Sequence, residues 1–229
     1  MIKENLKNIL SKLPSDVKLV AVSKFHPCED LLEAYSSGQR RFGENRPQEF
    51  SLKARELPAD IEWHFIGHLQ TNKLKMVLPY ASLVESIDSR HLLEAVSRWG
   101  VANCTSVSVL LELHLGAELT KGGFTQEEIE EILSEYSEFL SDPQSVANPF
   151  PSVRFCGLMG MASHTEDEAL IEADFARIEA LKKRLDSSFP LLPDFKELSI
   201  GMSDDWPLAV RHGATIVRIG TSIFGPRTY

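Results

Sequence analysis

The sequence predicts an α/β fold, a (β/α)8 (TIM) barrel with one extra helix at its N-terminus, and three observations predict it. Short apolar runs rich in β-branched residues recur eight times, at residues 18–25, 41–45, 63–68, 83–88, 107–115, 155–162, 197–202 and 215–224. Helix-like segments separate these runs, among them 29–36, 89–99 and 125–140. Continuous apolar stretches such as 19–22 are typical of parallel strands that are buried on both faces. Eight alternating units favour a closed barrel over an open sheet.

Local signals predict where several of these elements begin and end. The Thr-x-x-Glu sequences at 125–128 and 165–168 each have the form of a capping box that opens a helix. Gly38 and Gly213 stand where the preceding helices should stop. The proline-rich stretch 141–152 is expected to be a loop before the sixth strand.

The two ends of the chain complete the predicted barrel. Ile2, Leu6 and Ile9 fall at helical spacing and predict an amphipathic helix before the first strand. The eighth apolar run ends close to the C-terminus and leaves no room for a following helix, so we expect the N-terminal helix to cover that gap. No linker-like segment divides the sequence, and residues 1–229 are therefore predicted to form a single domain.

Composition narrows the classes of function and the compartment. The formal net charge is −9, and no stretch forms the basic face that a nucleic-acid binder requires. The three cysteines are scattered, which favours a reducing compartment over a disulfide framework. No apolar run approaches the length that spans a membrane, and the N-terminus lacks the apolar core of a signal peptide. We expect a cytoplasmic protein without nucleic-acid or membrane partners.

Polar and ionisable residues concentrate where the predicted strands end, which is where barrel active sites form. Lys24 follows the apolar run of the first strand directly. A lysine at the buried end of a strand is partly desolvated, which favours its nucleophilic neutral amine and permits a Schiff base with a carbonyl compound. The alternative is a rim lysine whose ammonium group reaches water, and this stretch alone leaves the two interpretations about equally favoured.

The ends of the seventh and eighth strands carry a second signal. Phosphate groups in barrels often bind at the loops after these strands. Gly220 would let backbone N–H groups approach an anion, while Ser203 and Thr221 would supply hydroxyl donors. Ser203 also precedes Asp204-Asp205-Trp206-Pro207, so it could simply be the N-cap of a helix with proline in its first turn. The combination with Lys24 favours a phosphate site over chance.

The two histidines His64 and His68 are a weaker signal. Their spacing could indicate a metal site, but no cysteine or carboxylate cluster in the sequence completes a set of ligands, and structural roles are favoured. His68 lies at the predicted rim and could contribute to the site there. No metal is therefore predicted.

Seven sequence blocks resemble the YggS/PROSC family of pyridoxal phosphate homeostasis proteins over roughly residues 17 to 227. The blocks are VAVSK (20–24), FGEN (42–45), WHFIG (63–67), KGGF (121–124), GLM (157–159), LSIGMSDD (198–205) and VRIGT (217–221). The resemblance implies the fold type III barrel of pyridoxal phosphate (PLP) proteins, similar to the N-terminal domain of alanine racemase. Two residues depart from the family pattern: His68 stands where some members have proline, and His114 lies in a region where many members carry asparagine.

The resemblance also implies roles for individual residues. Lys24 would carry the cofactor as a Schiff base, Asn45 would contact it near the ring, and Met159 would line the pocket. Arg218 would face the pyridine nitrogen. The phosphate would be held by Ser199, Ser203, Gly220 and Thr221.

Three hypotheses for function remain. The resemblance implies an intracellular carrier of PLP that does not turn over substrate and is not an enzyme. Such a carrier would act as a monomer and would supply apo PLP-dependent enzymes. The second hypothesis is a fold type III racemase or decarboxylase. A two-base racemase needs a second acid/base group opposite the lysine, which alanine-racemase-like enzymes take from a second domain that we do not expect after Tyr229. The third is a cofactor-free Schiff-base aldolase, which would explain the lysine and the phosphate site but not the seven blocks.

Overall fold

The computed structural model describes residues 1–115 and 122–226, and eight parallel strands form a closed barrel in chain order. The strands are β1 (Lys18–Val22), β2 (Arg41–Glu44), β3 (Glu62–Phe65), β4 (Ala81–Ile87), β5 (Val107–Leu113), β6 (Val153–Gly160), β7 (Glu197–Ser199) and β8 (Ile216–Ile219). The first and last strands pair in parallel, with Lys18 opposite Ile216 and Ala21 opposite Ile219. The predicted (β/α)8 barrel is confirmed.

Helices surround the barrel and connect successive strands. They are α1 (Ile2–Leu10), α2 (Cys28–Ser36), α3 (Pro47–Glu56), α4 (Leu74–Val77), α5 (Arg90–Ala102), α6 (Gln126–Ser141), α7 (Glu168–Ser188), α8 (Trp206–Arg211) and α9 (Thr221–Phe224), with a short 3-10 turn at Thr71–Lys73. None of the helices in the described residues is both long and apolar enough to cross a membrane.

The N-terminal helix packs on the barrel through its apolar face, as its apolar spacing predicts. Ile2, Leu6 and Ile9 of α1 are buried. The Asn5 side chain donates a hydrogen bond of 2.9 Å to the carbonyl oxygen of Ile223 in α9. The expectation that no helix follows the last strand is wrong, because the predicted eighth run divides into β8 and the short α9. Gly220 lies between β8 and α9, and α1 packs against α9.

The local signals for helix ends are partly confirmed. Thr125 and Glu128 form the expected capping box at the start of α6, with backbone-to-side-chain hydrogen bonds of 2.8 and 3.2 Å. The capping box expected at Thr165 is wrong. Asp167 is the N-cap of α7 and accepts the N–H of Ala169 at 3.0 Å, because an aspartate directly before the helix reaches the first turn. Gly38 and Gly213 follow helices with positive φ, as expected.

Apolar side chains form two layers that fix the barrel. The larger cluster lies between strands and helices, and Phe42, Phe50 and Phe65 are completely buried there. The smaller cluster fills the interior of the barrel and consists of Val20, Leu83, Leu110, Cys156, Met159 and Ile216. Above this interior layer, toward the carboxyl ends of the strands, the inward-facing side chains become polar, and this change places the candidate site.

Candidate functional site

Lys24 lies two residues beyond the end of β1, at the mouth of the barrel. Its side chain is half-buried, while the preceding Ser23 is fully buried. The strand ends earlier than predicted, at Val22. Phe25 then adopts a left-handed backbone with φ of 68°, so the chain turns sharply directly after the lysine. The lysine is thus presented on a turn at the rim.

Asn45 is the next predicted site residue along the rim, directly after β2. The backbone of Gly67 packs against it so closely that a Cβ at Gly67 would lie 2.2 Å from the Asn45 carbonyl oxygen. The buried Oδ1 of Asn45 has no hydrogen-bond partner within the part of the chain that the structure describes. Because a buried amide oxygen without a donor costs free energy, this atom fits a polar ligand in the barrel mouth.

Arg218 on β8 points into the barrel and is almost completely buried, with 4 % of its surface exposed. Its Nη1 donates to the carbonyl oxygen and the hydroxyl of Ser199 at 2.8 and 2.6 Å, and its Nη2 donates to the Gly160 carbonyl at 2.9 Å. A guanidinium group has five N–H donors, so these contacts fix its plane and leave donor capacity for a ligand. The structure thus brings together two predicted site residues, Ser199 and Arg218.

Glu85 and His64 continue this polar layer across the barrel interior. Glu85 is fully buried and accepts the hydroxyl of Ser199 at 2.6 Å, while its other oxygen lies 2.5 Å from Nδ1 of His64. Burial alone would raise the pKa of Glu85, but the hydrogen bond and charge of His64 and the charge of Arg218 outweigh it and lower the pKa. Glu85 therefore stays ionised and pairs electrostatically with Arg218, 3.6 Å away.

The predicted phosphate residues lie around the ends of β7 and β8. The N-cap of α8 is Asp205, so the interpretation of Ser203 as that cap is wrong. Asp205 instead accepts the N–H of Met202 at 2.5 Å, which leaves the half-buried Ser203 outside the cap. Thr221 is exposed at the start of α9, where backbone N–H groups have no partner within a helix. A Cβ at Gly220 would lie 3.0 Å from the Val22 carbonyl oxygen, so a side chain here would crowd the end of β1.

The remaining sequence-selected residues are more dispersed. Met159 belongs to the apolar interior layer, opposite Ser199 in the pairing of β6 with β7, and is 1 % exposed. His68 is mostly exposed and its Nδ1 lies 2.7 Å from Asp88, whereas His64 bonds to Glu85. No group of three metal-binding side chains occurs in the described residues. The KGGF block begins at Lys121, which lies outside them.

Glu112 is a site-lining residue that the sequence reasoning missed. It lies near the end of β5. Burial raises its pKa to about 7, the charge of Asp88 adds to this effect, and the charges of Arg218 and His68 oppose it. Its only sequence signal is an acidic residue inside an otherwise apolar strand, in the run Leu110-Leu111-Glu112-Leu113. That signal does not reveal which face of the strand the carboxyl group occupies.

The chain is similar to several known proteins. A sequence model of the alanine racemase N-terminal domain family matches residues 1–228. The pyridoxal phosphate homeostasis protein of Aquifex aeolicus is 38 % identical over 214 residues, covering 93 % of this chain and 88 % of the relative. The mouse protein of the same name is 35 % identical over 244 residues, covering 100 % of this chain and 85 % of the relative.

The chain belongs to the family of pyridoxal phosphate homeostasis proteins. Within this family, the solved structure of PipY from Synechococcus elongatus with PLP bound has a TM-score of 0.86 and 37 % identity, covering 98 % of this chain and 100 % of PipY. Alanine racemase from Corynebacterium glutamicum, with 16 % identity, a TM-score of 0.71 and coverage of 99 % of this chain and 60 % of the racemase, shares the barrel fold.

Proposed function

We propose that this protein binds pyridoxal 5'-phosphate for PLP homeostasis, holding it on Lys24 as a Schiff base and passing it on without catalytic turnover. Apo PLP-dependent enzymes would be the recipients. The observation that carries the proposal is the arrangement of the barrel mouth. A lysine on the turn after β1, a buried arginine on β8 and hydroxyl groups after β7 and β8 match the aldehyde, the pyridine ring and the phosphate of one cofactor.

The residues present fit the group. The unpartnered Oδ1 of Asn45 needs a donor. Ser203 and Thr221 carry hydroxyl groups that can donate to an anion, and Gly220 beside Thr221 has no side chain to block its approach. Bound PLP would supply an aldehyde for the lysine amine and a ring able to withdraw electrons. The curated relatives carry the name of homeostasis proteins and not of enzymes, which supports a carrier.

Arg218 gives a physical reason for the absence of turnover. A guanidinium group stays protonated at physiological pH and cannot give the pyridine nitrogen a proton. The pairing with Glu85 at 3.6 Å and the bonds to Ser199 reinforce its charged state. A pyridine ring without that proton withdraws electrons weakly, so the carbanion chemistry of racemases and decarboxylases is disfavoured.

Borohydride trapping tests the proposal. The protein is incubated with PLP, reduced with borohydride, digested and analysed by mass spectrometry of the peptides. We expect the phosphopyridoxyl mass on the peptide that contains Lys24, and its loss in Lys24→Ala, because only this amine would form the bond that borohydride makes permanent.

Two controls complete the test. Lys18→Ala removes a half-exposed lysine at the opposite end of β1 and should leave trapping unchanged. The loaded protein should restore the activity of an apo PLP enzyme, and should neither invert nor decarboxylate L- or D-amino acids above the Lys24→Ala background. Trapping on another lysine would contradict the assignment of Lys24, and steady racemisation would contradict the carrier.

A further inference from the structure

The turn that carries Lys24 is held from the outside of the barrel. Phe25, directly after the lysine, has the left-handed φ of 68° that costs a non-glycine residue free energy and persists where surrounding groups enforce it. Its N–H donates to Oε1 of Glu49 at 2.8 Å. The guanidinium of Arg46 lies 4.4 Å from the centre of the Phe25 ring. Both partners come from the start of α3, so this helix fixes the turn.

Lys53 of α3 holds the other side of the same turn. Lys53 is 4 % exposed, and its ammonium group donates to the Ser23 carbonyl at 2.8 Å and to Oε1 of both Glu44 and Glu49 at 2.7 Å. Three donors thus have three partners. Ser23 in turn donates its hydroxyl to Glu44 at 2.6 Å. Both neighbours of Lys24 in the chain are therefore bonded to one cluster, which consists of Glu44, Glu49 and Lys53.

This cluster is a costly way to stabilise a fold. Glu44 is fully buried, and its Oε2 has no partner within the described residues. Burial raises the pKa of Glu44 to about 6 even though Lys53 and Ser23 oppose the rise. Buried ion pairs contribute little stability compared with apolar side chains of the same volume. What the cluster does supply is a fixed position for residues 23 to 25.

We propose that Lys53 is a positioning residue for Lys24, a role that rests on the proposed function. By holding the Ser23 carbonyl and the carboxylate that binds the Phe25 N–H, Lys53 orients the Lys24 amine toward the mouth of the barrel. In the bond-forming step, the amine nitrogen forms a C=N bond with the aldehyde carbon of PLP. The aldehyde oxygen leaves as water with both protons of the neutral amine. Orienting the amine in advance lowers the entropy cost of this step.

The test separates formation of the Schiff base from integrity of the pocket. Pyridoxamine 5'-phosphate has the same ring and phosphate but no aldehyde, so its binding reports the pocket alone. In Lys53→Met we expect the equilibrium constant for Schiff base formation to fall about tenfold. It is measured from the amount of borohydride-reduced product formed at increasing PLP concentrations. Affinity for pyridoxamine 5'-phosphate, measured by calorimetry, should change by less than about threefold, and Lys53→Arg should recover part of the trapping.

A matched control is Lys182→Met. Lys182 is also buried, with 8 % exposure, and pairs with Asp186 at 2.6 Å, but it lies on α7 away from the turn. The Lys182→Met variant should be less stable than the unaltered protein but should trap PLP equally well. If Lys53→Met does not fold, Glu49→Gln is used instead, because the side chain of Glu49 is 21 % exposed and the change removes only a charge. In Glu49→Gln too, trapping of PLP should fall while the affinity for pyridoxamine 5'-phosphate stays nearly unchanged.

The outcomes are distinguishable. If the unaltered protein gives no product on Lys24, the proposed function itself fails. If it does, and Lys53→Met (or Glu49→Gln) traps PLP equally well, the positioning role is wrong. A parallel fall of trapping and of pyridoxamine 5'-phosphate affinity also overturns it, because Lys53 would then only support the pocket as a whole.

Discussion

At the scale of single residues, Glu112 shows how the barrel mouth alters a carboxyl group. Its pKa is raised to about 7 by burial first and by the charge of Asp88 second. An unfolded chain leaves the same carboxyl group in water, where its pKa is near the usual value for glutamate. Between about pH 4.5 and 7, the folded protein therefore retains a proton at Glu112 that the unfolded chain has already released.

This difference predicts the effect of Glu112→Gln. In the unaltered protein the contribution of Glu112 to stability is complete below the unfolded pKa and is lost as pH rises through the folded pKa of about 7. Glutamine does not titrate, so the glutamine variant lacks this loss. Its free energy of unfolding relative to that of the unaltered protein should therefore rise by ~1–3 kcal/mol between about pH 5 and pH 8. Urea denaturation at the two pH values measures the gain. An equal difference in stability at both pH values would contradict the raised pKa.

Other residue roles depend on partners distant in the chain. Glu85 and Lys53 look in the sequence like ordinary charged residues, one within a strand and the other within a helix. Only the fold brings Glu85 to Ser199, 114 positions away, and Lys53 to Ser23, 30 positions away. No local pattern contains this information, because a buried charge is explained by its partners and not by its neighbours in sequence.

At the scale of elements, the short strands β7 and β8 end in the loops that we assign to the phosphate. Sequence patterns predicted both strands but placed their ends too late, and Ser203 was left with two interpretations. The structure removes the cap interpretation, because Asp205 occupies the N-cap position of α8. The hydroxyl groups of Ser203 and Thr221 are thus not required by the adjacent helices as caps.

Replacing these hydroxyls tests the phosphate assignment. Ser203→Ala and Thr221→Ala should each weaken retention of PLP by roughly 10- to 150-fold, since a hydrogen bond to a charged group contributes about 1.5–3 kcal/mol. Dialysis of the loaded protein measures retention, and a thermal melt should show little change because neither residue is fully buried. Ser222→Ala, at the adjacent exposed position, is the control. Normal retention in both variants would place the phosphate elsewhere.

At the scale of the whole molecule, closure of the barrel involves α1 as well as the β1–β8 pairing. The helix buries one face and bonds to α9 through Asn5 and Ile223. The sequence predicted that this helix covers the gap beside the last strand. It could not predict α9, since the four residues Thr221–Phe224 continue the apolar run of β8 and carry no helical period of their own.

A pair of leucine substitutions in α1 tests its contribution to closure. Leu6 is 1 % exposed, whereas Leu10 on the same helix is 45 % exposed. Leu6→Ala should lower the free energy of unfolding by ~2–5 kcal/mol, because it leaves a cavity in a packed layer. Leu10→Ala should change it by less than about 1 kcal/mol. Equal effects of the two substitutions in urea denaturation would mean that packing of α1 on the barrel does not contribute to stability.

The sequence by itself determined the barrel and the position of Lys24 at its mouth. Apolar periodicity is a local property, and eight alternating units have few closed arrangements. The glycine and hydroxyl residues near the ends of β7 and β8 could also be predicted from the sequence, because their positions relative to the strands follow from the same periodicity.

Only the tertiary structure decided how these groups are held. It placed Lys53, Glu44 and Glu49 around the turn of Lys24, and it aligned Glu85 with Arg218 inside the barrel. Such contacts join elements that are far apart in sequence, and the free energy of a buried charge depends on the dielectric and the partners that folding provides. The sequence supplies the charges, but the fold alone sets the distances between them.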